Sequence, residues 1–126
     1  MIAQETPTTT CAVLYICAQR TGSSSLATER AIEEGRAFAQ RNDLRIVKEI
    51  PDPYGDPVPW HRSGWSQVRE MAKDREMDVV IVRWPNALSG DPALRAAELD
   101  YLRRLGVRIR FSWAPLAAMT SAEGPQ

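Results

Sequence analysis

Two short apolar runs, CAVLYIC at 11–17 and the VVIV that opens VVIVR at 79–83, set the tightest limit on what this chain can become. Runs of this length without polar alternation read as strands covered on both faces. Strands of that kind belong to parallel sheets, and parallel neighbours must be joined by crossovers, usually helices. The sequence between the runs changes period accordingly. Over 25–41, Ala27, Ala31, Gly35 and Phe38 recur at spacings of four and three, which predicts a helix with one buried face. Ser24 or Ser25 can cap its first amides, and Glu29 suits the positive end of its dipole.

The same alternation continues to the end. Segment 44–50 (LRIVKEI) reads as a strand, with Leu44, Ile46 and Ile50 expected on one side. Four prolines in 51–61 (PDPYGDPVPWH) remove four amide donors, so this stretch is expected to be a loop. A second helix over about 64–76 gathers Trp65, Val68, Met71 and Ala72. After VVIVR comes the loop WPNALSGD (84–91), then a helix over 92–105 with Leu94, Ala97, Tyr101, Leu102 and Leu105 as its stripe. Gly106 is placed to stop it. The segment 107–113 alternates Val107, Ile109, Phe111 and Trp113 with Arg108, Arg110 and Ser112, giving a strand with one polar face. The order βαβαβαβ predicts an α/β domain over 11–114: three layers, with a mostly parallel four-stranded sheet between helices. Residues 1–10 and 115–126 are expected to be loose tails.

Composition narrows the function classes. Lys and Arg number 16 and so do Asp and Glu, so net charge is zero and no overall basic field draws the chain to nucleic acid or an anionic membrane. Residues 1–10 lack the basic start and apolar run of a signal peptide, and no stretch approaches about 20 apolar residues, so a cytoplasmic protein off the membrane is expected. Cys11 and Cys17 share one strand; fully extended they stand about 20 Å apart, too far for a mutual disulfide. With His61 the one histidine and no CxxC pair, neither a metal nor a cofactor is expected.

Ligands of open α/β sheets sit at the carboxyl ends of the strands, which singles out loops 18–25, 51–63 and 84–91. The RTGSSS turn, with Arg20 and Ser23, could hold an anion at a helix start or serve simply as a capped turn. It has neither a Walker ending nor a GxGxxG fingerprint. Ser23 or Ser24, His61 and Asp52 or Asp56 contain the group types of a hydrolase triad, but no GxSxG elbow and no spacing unites them. Cys17 reads as a small core residue, or as a nucleophile if Arg20 lies near it. Trp65 and Trp113 fall on apolar faces, whereas Trp60 and Trp84 lie in the loops, where an exposed aromatic can serve a partner or a stacked base. Arg108 and Arg110 read as a solvated strand face.

In order and wording, residues 12–113 resemble the catalytic domain of the serine recombinases, the resolvases and invertases. That family opens with a strand ending Tyr-x-Arg-x-Ser and a helix beginning Ser-Leu-x-x-Gln; this chain has YICAQ at 15–19 and SLATE at 25–29. An Asp-Arg-x-Gly-Leu stretch corresponds to HRSGW at 61–65, and Leu-Asp-Arg-Leu-x-Arg-Asp to PNALSGD at 85–91. LRRLGVRIRF matches the family's helix, Gly-Val turn and strand. The family's serine attacks a DNA phosphate while arginines neutralise the developing charge.

The resemblance breaks where that chemistry resides. Gln19 stands at the position of the nucleophilic serine and Cys17 at that of the preceding arginine. Asn86 replaces the later aspartate, Ala87 and Gly90 replace its arginines, and Arg62 is retained. Ser23 is the nearest replacement hydroxyl, four residues late. Beyond Trp113 the sequence offers neither the family's long helix nor a helix-turn-helix. The expectation is therefore a non-catalytic relative, a binding or regulatory module with Arg20, Ser23, Arg62, Trp60 and Trp84 as contact residues. Its partners would be another protein or a second copy, with weak DNA contact at most. Two alternatives stay open: an accessory DNA-binding protein that modulates an intact recombinase, using Arg62, Arg20, Arg108 and Arg110, and a small hydrolase or nucleotide binder using the same loops.

Overall fold

In a computed structural model of the chain, residues 10–19, 26–53 and 56–112 are described. The elements are β1 (Thr10–Gln19), α1 (Leu26–Arg41), β2 (Leu44–Pro53), a 3-10 turn (Pro59–His61), α2 (Ser63–Lys73), β3 (Val79–Val82), α3 (Pro85–Leu88), α4 (Pro92–Arg104) and β4 (Arg108–Phe111). All strand pairs are parallel and the sheet order is β2-β1-β3-β4. The two continuously apolar runs thus become the two central strands, and every residue of β3 is buried.

Helices cover both faces. On one, Ala12, Leu14 and Ile16 of β1 and Val79 and Ile81 of β3 pack with Ala31 and Ala39 of α1. On the other, Val13, Tyr15, Val80 and Val82 pack with Trp65, Val68 and Ala72 of α2, Ala87 and Leu88 of α3, and Leu102 of α4. The three-layer parallel architecture read from the sequence is the one found. Gly106 ends α4 at φ 88°, with its own amide bonded to Arg103 O and that of Val107 bonded to Leu102 O. This is the Schellman closure that a left-handed glycine permits. At the other end of α4 the Asp91 carboxylate accepts from the amides of Ala93 and Leu94.

Four local expectations need correction. Pro51 and Pro53 lie in β2 rather than in a loop, because β2 is an edge strand whose outer amides need no partner. Leu44, Ile46 and Ile50 do not share a side. Ala12 pairs with Ile46 but Val13 pairs with Lys48, so Val47 is an extra residue, a β-bulge. Leu44 and Ile46 therefore face α1, while Ile50 joins the opposite core. The segment after β3 is not all loop, since Pro85 starts the single helical turn of α3. Finally, Ala97 on α4 is exposed and Glu98 is buried in its stead, 1% accessible.

Glu98 is tolerated because every approach to it brings a donor. Arg69 gives a two-pronged contact, Nε to Oε2 at 2.7 Å and Nη2 to Oε1 at 3.2 Å, and Trp65 Nε1 donates to Oε2 at 2.8 Å. The Arg69 guanidinium also lies over the Tyr101 ring at 4.0 Å. Removing one partner of such a pair strands the other, which costs more than the pair contributes. Glu98→Ala is expected to lower urea-measured stability by about 3–5 kcal/mol, and the double substitution Arg69→Met with Glu98→Leu to recover most of it.

Candidate functional site

The connection leaving β1 runs to one side of the sheet and that leaving β3 to the other, so the order reverses between these two central strands. Their carboxyl ends form the crevice where such sheets hold ligands. The bulge in β2 decides what enters it. By shifting the strand's parity, Val47 turns Asp52 toward Tyr15 and the start of α2.

Asp52 is 3% accessible, and its carboxylate accepts three bonds: from Gly64 N and Trp65 N at 2.9 Å each and from Tyr15 Oη at 2.8 Å. The residue at the N-cap of α2 is Arg62, whose side chain makes no capping bond. Asp52 caps the helix from another strand instead, with its negative charge on the positive end of the dipole. Gly64 is what lets it come so close: a Cβ there would stand 2.6 Å from the Asp52 Cγ.

Released from capping, Arg62 turns into the crevice and is 7% accessible. Its Nε donates to Asp56 O at 2.8 Å, and its Nη1 lies 2.8 Å from Ala87 O, 3.2 Å from Tyr15 Oη and 3.5 Å from Cys17 Sγ. One guanidinium thereby ties β1, the segment after β2 and α3 together. The loop after α3 is fixed as well. Ser89 Oγ donates to Pro57 O at 2.7 Å, and Arg95 Nη1 donates to Ser89 O at 2.8 Å and Asn86 Oδ1 at 3.2 Å.

Burial raises the Tyr15 phenol well above its ordinary value, with Cys17 adding to the effect. Burial also raises the Cys17 thiol, and the Arg62 charge beside it only partly offsets this. Cys17, 8% accessible and part of the core, is therefore held as a thiol, which fits its reading as a packing residue. Trp84 is half-buried against the same core with the Arg83 guanidinium 4.5 Å from its ring, and Arg83 pairs with Glu34 at 3.3 Å. Trp60 is 36% accessible and has Arg69 at 5.2 Å.

The remaining sequence candidates separate. Asn86 is exposed, Ala87 is buried, and Gly90 is exposed with nothing within 4 Å of an added Cβ. Gln19 ends β1 opposite Pro53. Arg20, Ser23, Ser24, Ser25 and Trp113 lie outside the described residues. His61 Nδ1 is 3.5 Å from Asp56 Oδ2, both exposed, while Asp52 is committed elsewhere; the serines of the triad alternative lie outside the described residues. Nor do three His, Cys, Asp or Glu side chains gather there to hold a metal. No described helix is long and apolar enough to cross a membrane. Sequence reasoning did not foresee Tyr15 as a polar partner or Arg95 as the clamp on the last loop. An acidic residue between two prolines, followed by a glycine near the next helix start, was the available signal.

No family model matches the sequence, and no curated protein does. Solved structures do match in shape. The C-terminal catalytic domain of ISC1926 TnpA, an IS607-like serine recombinase, superposes with a TM-score of 0.68 at 20% identity, over 80% of this chain and 68% of that one. The N-terminal catalytic domain of TP901-1 integrase gives 0.67 at 14% identity, over 79% and 74%. The fold is that of a serine-recombinase catalytic domain. A serine recombinase from Sulfolobus solfataricus agrees at 0.55 and 16% identity, over 90% and 82%. Within the serine-recombinase fold, the Tyr15–Asp52–Arg62 cluster occupies the crevice at the ends of β1 and β3.

Two outcomes follow. Gly64→Ala should drive Asp52 off the helix start and cost roughly 2–4 kcal/mol in urea unfolding, the sum of overpacking and a lost cap. Raised folded-state values for Tyr15 and Cys17 also fix the sign of an alkaline effect. Below the unfolded phenol value of about 10 the Tyr15 proton is bound in both states, and its stabilisation is complete. Above it the unfolded chain releases that proton first, so stability falls by up to about 1.4 kcal/mol per pH unit. Tyr15→Phe should flatten that slope, measured by urea titration from neutral to alkaline pH.

Proposed function

We propose that this protein has the serine-recombinase fold without recombinase chemistry and works as a binding or regulatory module. The observation that carries this reading is the commitment of Arg62: at 7% accessibility, its Nε and Nη1 are bonded to oxygens of the chain itself. A phosphodiester engaging Nε or Nη1 would have to displace Asp56 O, Ala87 O or Tyr15. Transition-state charge is stabilised by donors that are aimed and unspent, and the Nε and Nη1 donors of this guanidinium are already used for structure.

The nearby positions point the same way. Where the resemblance calls for a serine and further arginines, this chain has Gln19, Cys17, Ala87 and Gly90. A glutamine amide is no nucleophile toward phosphorus, and Ala87 is packed into the core, so an arginine there would have to leave it. Two guanidiniums that follow β3, those of Arg83 and Arg95, also have protein acceptors. An accessory DNA-binding role through Arg62 faces the same obstacle, because contact with a backbone phosphate needs an accessible cation.

Incubating the protein with supercoiled plasmid, followed by denaturing gels and intact mass, tests this. No nicking and no DNA-linked protein are expected, and Gln19→Ser alone should not create either. A covalent adduct from the unaltered chain that disappears in Ser23→Ala would overturn the reading.

A further inference from the structure

The two ends of the sheet are built differently. β2 protects itself, since the bulge at Val47 breaks its repeat and Pro51 and Pro53 lack amide protons. β4, last in the sheet order, has neither device: its pairing with β3 is regular from Arg108 to Phe111, and it contains no proline. A strand in that position is commonly covered by another segment. Beside β4 a groove of about 470 Å³ runs against α4, with Ala96, Leu99 and Ile109 in its lining. Leu99 and Ile109 are half-buried and Ala96 is exposed, so the described residues do not themselves cover this apolar lining. The end of the groove nearest the Gly106 turn is cationic. Arg103 and Arg108 line it; Asp100 is shared by Arg103 and Arg104, two cations for one carboxylate, and Arg108 has no ion pair among the described residues.

The sequence supplies a matching segment directly after β4. Ser112, whose amide donates to Val82 O, marks the end of β4 opposite the Gly106 turn. Residues 113–126, outside the described residues, read WAPLAAMTSAEGPQ. Pro115 cannot continue a strand ladder, but its fixed φ suits the first turn of a helix. Leu116, Met119 and Glu123 then recur at spacings of three and four, on one face. Gly124 and Pro125 follow as a stop signal, and Glu123 is the one charged side chain of 113–126. The lengths agree as well. From Leu116 to Glu123 a helix rises about 10 Å, and the strand from Arg110 back to Val107 spans about 10 Å.

We propose that residues 115–123 turn back as a short helix along this groove, antiparallel to β4, and cover it within the same molecule. Leu116 and Met119 then lie over Leu99 and Ile109, and Glu123 reaches the end of the groove where Arg103 and Arg108 stand. A helix of this length does not hold alone in water, so its order comes from the apolar contact. The tether through Ser112 keeps the segment at an effective concentration near millimolar, an advantage that a second copy or a separate partner lacks. Docked there, the segment also closes β4 to strand addition by another chain. The groove shares no residue with the crevice cluster, so the proposal stands whether or not the chain cleaves DNA.

The test is methyl NMR on the full chain, labelled at Leu, Ile and Met. Expected are cross-peaks from the Met119 methyl to those of Leu99 and Ile109, absent between labelled and unlabelled copies in a mixed sample. Leu116→Asp should abolish them. Glu123→Lys should lower the docked-to-free ratio roughly two- to fivefold, a difference that high salt removes. Both positions lie beyond β4, so the variants keep the fold, which circular dichroism verifies. A free peptide of residues 113–126, on the order of 0.1 mM and so below the tethered concentration, should leave the Leu99 and Ile109 signals of the intact chain unmoved. Absence of the cross-peaks overturns the proposal, and so does finding them only between copies, which makes the groove a dimer contact. Movement of the Leu99 and Ile109 signals by the free peptide overturns it too, because the groove would then be vacant in the intact chain.

Discussion

A carboxylate removed from water must find donors or lose its charge, and Asp52 finds three on two different elements. Gly64 and Trp65 offer amides at the start of α2, and Tyr15 offers its hydroxyl from the central strand. The rest of the crevice depends on this arrangement. With the α2 start already capped, Arg62 is free to reach across to α3, and Tyr15 accepts from Arg62 on one side while donating to Asp52 on the other. The amides that an anionic ligand would seek at α2 are thus occupied by an anion belonging to the chain.

On the proposed reading, this arrangement would let a fold outlast its chemistry. A guanidinium that serves catalysis needs accessible donors, whereas one that serves packing needs acceptors all around it. Arg62, 7% accessible with acceptors on Nε and Nη1, is closer to the second environment. The cluster joins the ends of β1 and β2 to α2 and α3, so selection for stability alone suffices to retain it. Persistence of such a residue in a sequence is weak evidence for activity.

The gross architecture was legible because it rests on long-period patterning. Two apolar runs marked the central strands, and helical spacing with Gly106 marked α1, α2 and α4. What escaped notice depended on single residues whose meaning is set by tertiary context. Prolines 51 and 53 argue against a central strand but not against an edge, and the sequence does not say which edge β2 will be. Glu98 reads as surface unless Arg69 and the Trp65 indole are known to converge on it. In the candidate site, Arg62 was recognised by its motif, yet its commitment to Ala87 O and Asp56 O involves carbonyls, which every residue has and no motif records.

The bulge at Val47 also bears on how chains of this fold can diverge in length. In a regular strand the loss of a residue sends every side chain beyond it to the opposite layer. Here β2 serves one layer before residue 47 and the other layer after it. Because Ile46 pairs with Ala12 and Lys48 with Val13, deleting Val47 would close the bulge into a regular ladder and leave Ile50 and Asp52 in their layer. A chain of this fold one residue shorter at this point can therefore keep Asp52 in the crevice, and a residue-by-residue correspondence drawn without an offset at Val47 would match inward positions of one protein to outward positions of another.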